Sequence, residues 1–230
     1  MEFFESKIIK IVQENSDTYS YYMDVPDGYT WRAGQHAIFK FREPAVAEGE
    51  KAERIFTIAS APQEQVLMFT TRIPEAHSAF KDVLLKQVQA GTMMVISQAL
   101  GRFDFKMDEY EQSLVIAGGI GITPIRGLLR QYAGTHPEHE LTVLYADDRG
   151  EFAYSDFWPV MQAQMPKLNL QLISKREELT LCVNDYAARM ANNAAYFIAG
   201  SPSMNAMVSR NLQNQGIKKE NIVTDSFMGL

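Results

Sequence analysis

The sequence predicts an antiparallel β-barrel followed by a doubly wound α/β domain, and three observations carry that expectation. The first hundred or so residues hold short runs rich in β-branched and aromatic residues, bounded by turn signals. Only one helical pattern interrupts them. Beyond Met107 apolar runs alternate with helical patterns, and those runs are continuous, as in strands covered on both faces.

In the first part the expected strands are Lys7–Val12, Tyr19–Val25, Ala37–Phe41, Ile55–Ala59, Val66–Ile73 and Met93–Ser97. Pro26-Asp27-Gly28 marks a turn after the second. The helix runs from Ser78 to about Val88, with Phe80, Val83, Leu84 and Val88 at helical spacing and Gly91 just beyond. Arg42–Glu53 is charged and reads as a surface loop. Six short strands with so little helix suggest a closed or nearly closed barrel.

In the second part the expected strands are Ser113–Ala117, Leu141–Tyr145, Leu168–Ile173, Tyr196–Ala199 and Ile222–Thr224. Helices are expected at Pro124–Tyr132, Ser155–Gln164, Asn184–Met190 and Met204–Asn214. Five parallel strands with right-handed helical crossovers make a doubly wound sheet. The domain boundary is placed at 1–107 and 108–230.

Composition narrows the function. Apolar residues make up 46% of the 230 residues and charged ones 22%, enough to build a core and too apolar for a disordered chain. The net charge is −6 and neither part is basic, which argues against a nucleic-acid binder. The one cysteine, Cys182, excludes an internal disulfide and a cysteine-ligated iron–sulfur cluster within these residues, and it reads as a buried structural residue. No apolar run reaches the ~20 residues of a membrane span. Met1-Glu2-Phe3-Phe4-Glu5 lacks the basic start of a signal peptide, so a cytoplasmic protein is expected.

Two stretches point to chemistry. Gly118-Gly119-Ile120-Gly121-Ile122-Thr123-Pro124 lies between a strand and a helix. Its glycines permit a sharp turn and close approach to a ligand. Thr123 suits an N-cap and Pro124 the first helical position, and the helix N-terminus offers free N–H groups to a phosphate. The phosphate reading takes precedence over a plain tight turn, because ligands of open α/β sheets bind at the carboxyl ends of the strands. Gly200-Ser201-Pro202-Ser203-Met204 follows the fourth strand at the same edge, as a second ligand loop, an N-capping turn, or both. The other stretch is Arg54-Ile55-Phe56-Thr57-Ile58-Ala59-Ser60. Its cation, ring and hydroxyls suit a planar, phosphate-bearing ligand, but on the residues alone an ordinary half-buried strand is the preferred reading.

The order of motifs resembles the ferredoxin–NADP reductase superfamily of FAD-dependent oxidoreductases. Gly34-Gln35-His36 resembles its G-Q barrel entry, Arg54-Ile55-Phe56-Thr57 its R-x-Y-[ST] flavin motif and Leu100-Gly101-Arg102-Phe103 its closing turn. Gly118–Pro124 resembles its G-G-x-G-[IV]-T-P nucleotide motif, and Ala199–Met204 its last loop. The resemblance runs through nearly the whole chain.

That resemblance implies FAD on the barrel and NAD(P)H on the α/β domain. Arg54 would pair with the FAD pyrophosphate, Phe56 would lie against the isoalloxazine ring, and Thr57 would stand at the reactive N5 edge. Ile58 and Ser60 would meet the rest of the ring. His77, Ser78 and Phe80 correspond to the family's second phosphate stretch, although Glu75 stands where its glycine would be. Gly119, Gly121, Thr123, Pro124, Gly200, Ser201 and Met204 would receive the nicotinamide nucleotide. Phe227 either covers the flavin or packs on the barrel, the two readings weighing equally.

Ala199 departs from the family, many of whose members have cysteine there. That departure sustains an alternative, an FAD-binding electron-transfer or regulatory subunit with little turnover of its own. A plain nucleotide-binding protein with a partner-binding barrel is a third reading. Ser174, Lys175 and Arg176 suit a 2′-phosphate, whereas Asp147 and Asp148 suit an unphosphorylated ribose, and the balance tilts slightly to NADPH. The acceptor would be a separate protein or small molecule. No metal site is expected, and His136-Pro137-Glu138-His139-Glu140 reads as a polar loop.

Overall fold

The computed structural model of the chain describes residues 1–47 and 49–226. They divide into two compact units. One holds Met1–Arg102 with Arg126–Gln131, the other Phe103–Ile125 with the residues from Tyr132 onward.

The first unit contains β1 (Phe3–Gln13), β2 (Thr18–Met23), β3 (His36–Phe41), β4 (Glu53–Thr57), β5 (Leu67–Arg72), α1 (Ala79–Lys86) and β6 (Met93–Ser97). The strands form one antiparallel sheet in the order β4-β3-β6-β1-β2-β5. Its two edges approach each other just past β4, where Ala59 N donates to Met68 O at 2.6 Å, so the sheet is nearly closed. β1 is longer than its apolar pattern predicts because it serves two neighbours. Phe3–Lys7 pairs with β6, and Ile8–Gln13 pairs with β2 across an irregularity at Ile8–Lys10.

The barrel interior is aromatic. Phe69 lies stacked between Tyr21 and Phe56, at ring-centroid distances of 4.9 and 4.8 Å. Such pairs add about 0.5–1.5 kcal/mol each beyond the area they bury. Phe39, Phe80 and Ile58 complete this core.

The second unit contains β7 (Gln112–Gly118), α2 (Ile122–Tyr132), β8 (Glu140–Ala146), α3 (Phe157–Gln164), β9 (Leu168–Ile173), α4 (Arg176–Met190), β10 (Ala195–Gly200), α5 (Pro202–Asn214) and β11 (Ile222–Ser226), the middle of α2 clustering with the first unit. All five strands are parallel, in the order β11-β10-β7-β8-β9. Every residue of β10 is buried, as expected of a central strand covered on both faces. The order reverses between β7 and β10, so the loops after Gly118 and Gly200 flank the switch point where ligands of this architecture bind.

Several boundaries move. α4 begins at Arg176 rather than Asn184: its first turns are charged and mostly exposed, yet Leu179, Val183, Tyr186 and Ala187 form one buried stripe. β4 lies about two residues earlier than expected. Past Thr57 the chain bonds elsewhere, with Ile58 N donating to Gln35 O at 2.8 Å. No helix among the described residues is long and apolar enough to cross a membrane.

Candidate functional site

On the barrel, β4 places Arg54 opposite Phe39 and Thr57 opposite His36. The Arg54 guanidinium lies 5.4 Å from the Phe80 ring centroid, and its Nη1 donates to the carbonyls of Lys51 and Glu53 at 3.0 and 2.8 Å. Arg54 Nε is sealed from water with no partner among the described residues. Phe56 is half-buried and turned into the aromatic core, while Thr57, Ile58 and Ser60 are buried. The Ser60 carbonyl accepts from Trp31 Nε1 at 3.0 Å, but its hydroxyl has no partner among the described residues.

Helix α1 supplies the rest of this corner. Ser78 is its N-cap, but its buried hydroxyl makes no capping bond and has no partner among the described residues. His77 is engaged locally: Nδ1 lies 2.6 Å from Pro74 O and Nε2 3.2 Å from Asp82 Oδ1. The Lys86 ammonium and His77 together hold the Asp82 carboxyl below the usual carboxylate range. Phe80 is fully buried and belongs to the core beneath Arg54. Beside it stands Lys81, a residue that sequence reasoning passed over. It is only 9% exposed, and burial, followed by the charges of Arg54 and Arg72, pushes its amine below the ordinary lysine range.

At the switch point, Gly119–Gly121 forms a helical turn that leads into α2. Gly119 has φ +51°, a conformation that glycine adopts most easily. Gly121 is required for a different reason. A Cβ there would collide with the Ala199 carbonyl and lie 2.9 Å from Gly200 N, so β10 can pass only because position 121 has no side chain. Two expectations need correction here. Helix α2 begins at Ile122, which places Thr123 and Pro124 inside its first turn. Thr123 is therefore not an N-cap: it is buried, and its hydroxyl donates to Ile120 O at 3.0 Å.

The opposite loop behaves as an N-cap should. Ser201 Oγ accepts from Met204 N at 3.2 Å, and Pro202 takes the first helical position. Met204 lies against Gly118 and Gly200, the sulfur standing where a Cβ on either would point. Asn205, also absent from the sequence reading, donates through Nδ2 to Asp225 O at 2.6 Å and Ser226 Oγ at 3.0 Å. Its Oδ1 is buried without a partner among the described residues and faces Gly200.

At the ends of the neighbouring strands, Asp147 is buried and held by the Arg149 guanidinium at 3.1 Å. Ser174 and Lys175 are exposed. Phe227 lies outside the described residues. Cys182, expected to be buried, is only half-buried on α4, and burial raises its thiol above the usual range.

The histidine loop serves folding. His136 Nε2 lies 3.0 Å from Asp108 Oδ1, and the buried His139 places Nε2 2.9 Å from Ser113 Oγ. Burial, and then the charge of His136, lowers the His139 pKa, with Glu140 opposing. Because the folded pKa is depressed, the unfolded chain takes up the proton first. Stability should be full above the ordinary histidine pKa of about 6.5 and fall as pH drops below it. Denaturant melts from pH 7.5 to 5.0 should show that slope, and His139→Gln should flatten it; equal slopes would contradict the assignment.

Residues 115–210 match the oxidoreductase NAD-binding domain family. The chain is 25% identical to a subunit of the Na(+)-translocating NADH-quinone reductase of Yersinia enterocolitica, over 90% of this chain and 56% of that protein. It spans about half the length of the curated relatives it matches. Among solved structures it superposes on ferredoxin–NADP+ reductase from Plasmodium falciparum with a TM-score of 0.82 at 15% identity, covering 98% of this chain and 96% of that one. The flavohem-like FAD/NAD binding domain of nitric oxide dioxygenase from Vibrio cholerae gives 0.76 at 16% identity, covering 97% and 98%. The nearly closed barrel and the five-stranded parallel sheet thus share the fold of ferredoxin–NADP+ reductase, and the family match falls in the second of the two units.

Proposed function

We propose that the chain is an FAD-dependent reductase that takes hydride from NAD(P)H and passes electrons to a separate acceptor. One observation carries this reading. Arg54 Nε, Ser60 Oγ, Ser78 Oγ and Asn205 Oδ1 are the buried side-chain polar atoms without a partner among the described residues. The first three fall on positions that the family resemblance assigns to the flavin cofactor. The fourth directly follows the loop it assigns to the nicotinamide nucleotide. Leaving such a group unpaired costs about 1–3 kcal/mol, so in each unit these atoms fit groups kept for a ligand.

A bound FAD would supply a hydride acceptor that can pass electrons on singly or in pairs. The protein's part is to bind, orient and exclude water. Arg54 and Ser78 would hold the diphosphate, and Phe56, Thr57, Ile58 and Ser60 would meet the ring system, with the Thr57 hydroxyl toward N5. The turn at Gly119–Gly121, with Thr123 and Pro124 behind it, would present the α2 N-terminus to the nucleotide phosphates. Gly200, Ser201 and Met204 would close that pocket. The Asp147 charge is neutralised by Arg149, while Ser174 and Lys175 are exposed at the next strand end. That arrangement favours NADPH slightly.

Arg54→Ala should purify with far less FAD than the wild type and need at least tenfold more FAD for reconstitution, as expected for lost charge-assisted bonds of about 1.5–3 kcal/mol. Unchanged FAD content in that variant would overturn the assignment of the barrel site. The subunit reading rests on Ala199, whose buried methyl group offers no thiol beside the nucleotide loop. It predicts FAD binding with slow reduction by NAD(P)H.

A further inference from the structure

Lys81 is nine-tenths buried, yet it forms no hydrogen bond or ion pair with any described residue. Its charged neighbours are both cations, Arg54 and Arg72. Arg72 is paired with Asp17 at 2.7 Å, but no described carboxylate pairs with Arg54, whose Nε is itself sealed and unpartnered. The buried Ser78 hydroxyl, at the N-terminus of the same helix, is also without a partner among the described residues.

Two cations in one barrel corner with no described carboxylate between them repel each other, and burial of most of the Lys81 side chain adds to the cost of its charge. A neighbouring aliphatic position such as Val83 would be cheaper for the fold than Lys81. Arg54 over Phe80, Lys81 next along the helix, and the unpartnered Ser78 hydroxyl at that helix's N-terminus together match a ligand carrying two linked phosphate charges. Such a diphosphate would neutralise both cations at once.

We propose that Lys81 is a second diphosphate-binding cation beside Arg54, and that this pair makes the barrel select a flavin dinucleotide over flavins without the diphosphate. The inference rests on the flavin reading above and goes beyond the residues which the family resemblance assigns. Lys81 acts on affinity and selectivity, and takes no part in hydride transfer.

The test measures affinities of the apoprotein for FAD, FMN and riboflavin by quenching of flavin fluorescence, together with the thermal midpoint of the apoprotein. Wild type should bind FAD at least 100-fold more tightly than riboflavin. Lys81→Met keeps the stem and removes the charge. It should weaken FAD about 10–100-fold, leave riboflavin within about twofold, and raise the apoprotein midpoint by about 2–5 °C as the repulsion is relieved. Lys81→Arg should restore most of the FAD preference. FAD affinity unchanged in Lys81→Met, or FAD and riboflavin weakened equally, would overturn the role of Lys81 and leave the flavin reading standing. A wild-type protein that binds none of the three flavins would overturn both.

Discussion

Gly121→Val should abolish productive binding of the nicotinamide nucleotide and lower the stability of the second unit. The reason is specific to this position. Any Cβ at residue 121 meets backbone, the Ala199 carbonyl and the Gly200 amide, with no flexible side-chain end to yield. Either the turn at Gly119–Gly121 or the end of β10 must move, and both carry the residues proposed to hold the nucleotide. Overpacking of this kind costs about 1–3 kcal/mol in a side-chain core and more against backbone. A thermal midpoint several degrees lower is therefore expected, together with loss of NAD(P)H binding by calorimetry. FAD binding to the barrel should persist. Gly119→Ala separates the two effects. A Cβ there comes no closer than 3.9 Å to Asp147 Oδ2, so only its positive φ is strained, at about 1 kcal/mol. Normal nucleotide binding in Gly121→Val would show that the site is misplaced.

Arg126→Ala should strongly destabilise the first unit. The guanidinium grips Glu64 through two bonds, Nη1 to Oε2 at 2.8 Å and Nη2 to Oε1 at 2.9 Å, and also reaches Ala59 O at 3.0 Å. Both side chains are close to nine-tenths buried. Glu64 in turn accepts from Ala61 N at 2.8 Å, so the pair fixes the 59–64 segment that follows the proposed flavin strand. Removing one partner strands the other charge in a dry place, which costs about 3–5 kcal/mol. For a chain of this size that lowers the midpoint by about 10 °C. Glu64→Gln should cost less, because a neutral amide still accepts from Arg126. A loss under about 1 kcal/mol in Arg126→Ala would mean that the pair is solvated and the segment is held by its backbone bonds alone.

Much of the architecture was legible in the chain because local pattern and tertiary demand agree. Met93–Ser97 and Leu168–Ile173 are strands at the expected bounds. β10 reads as a buried run because Tyr196–Ala199 carries no charge to place in water, and the Tyr196 hydroxyl donates to Ala191 O at 2.8 Å. Agreement failed where a contact lay far off in sequence. β1 begins at Phe3 because its first residues find β6 some ninety positions away. The early turns of α4 look too charged for a helix until Leu179 and Val183 are seen on one face.

The candidate site divides along the same line. Gly121 is conspicuous in sequence as a glycine between strand and helix, but the reason for it, the close passage of β10, is not. Lys81 gives no signal in the sequence, since one charge beside Phe80 and ahead of Val83 fits an ordinary amphipathic stripe. Only the fold reveals its burial beside Arg54. Asn205 and the Arg126–Glu64 pair likewise carry no local signal, because their partners are Asp225 and Ser226 in one case and a residue 62 positions away in the other.

The central claim is that this chain carries electrons from a nicotinamide nucleotide through a bound flavin. The visible spectrum of the FAD-loaded protein under anaerobic conditions, before and after NADPH and separately NADH, tests it most directly. The account predicts a flavin spectrum that bleaches rapidly, with NADPH somewhat the faster donor. A protein that takes up no FAD, or whose flavin spectrum persists with both nucleotides, would contradict it.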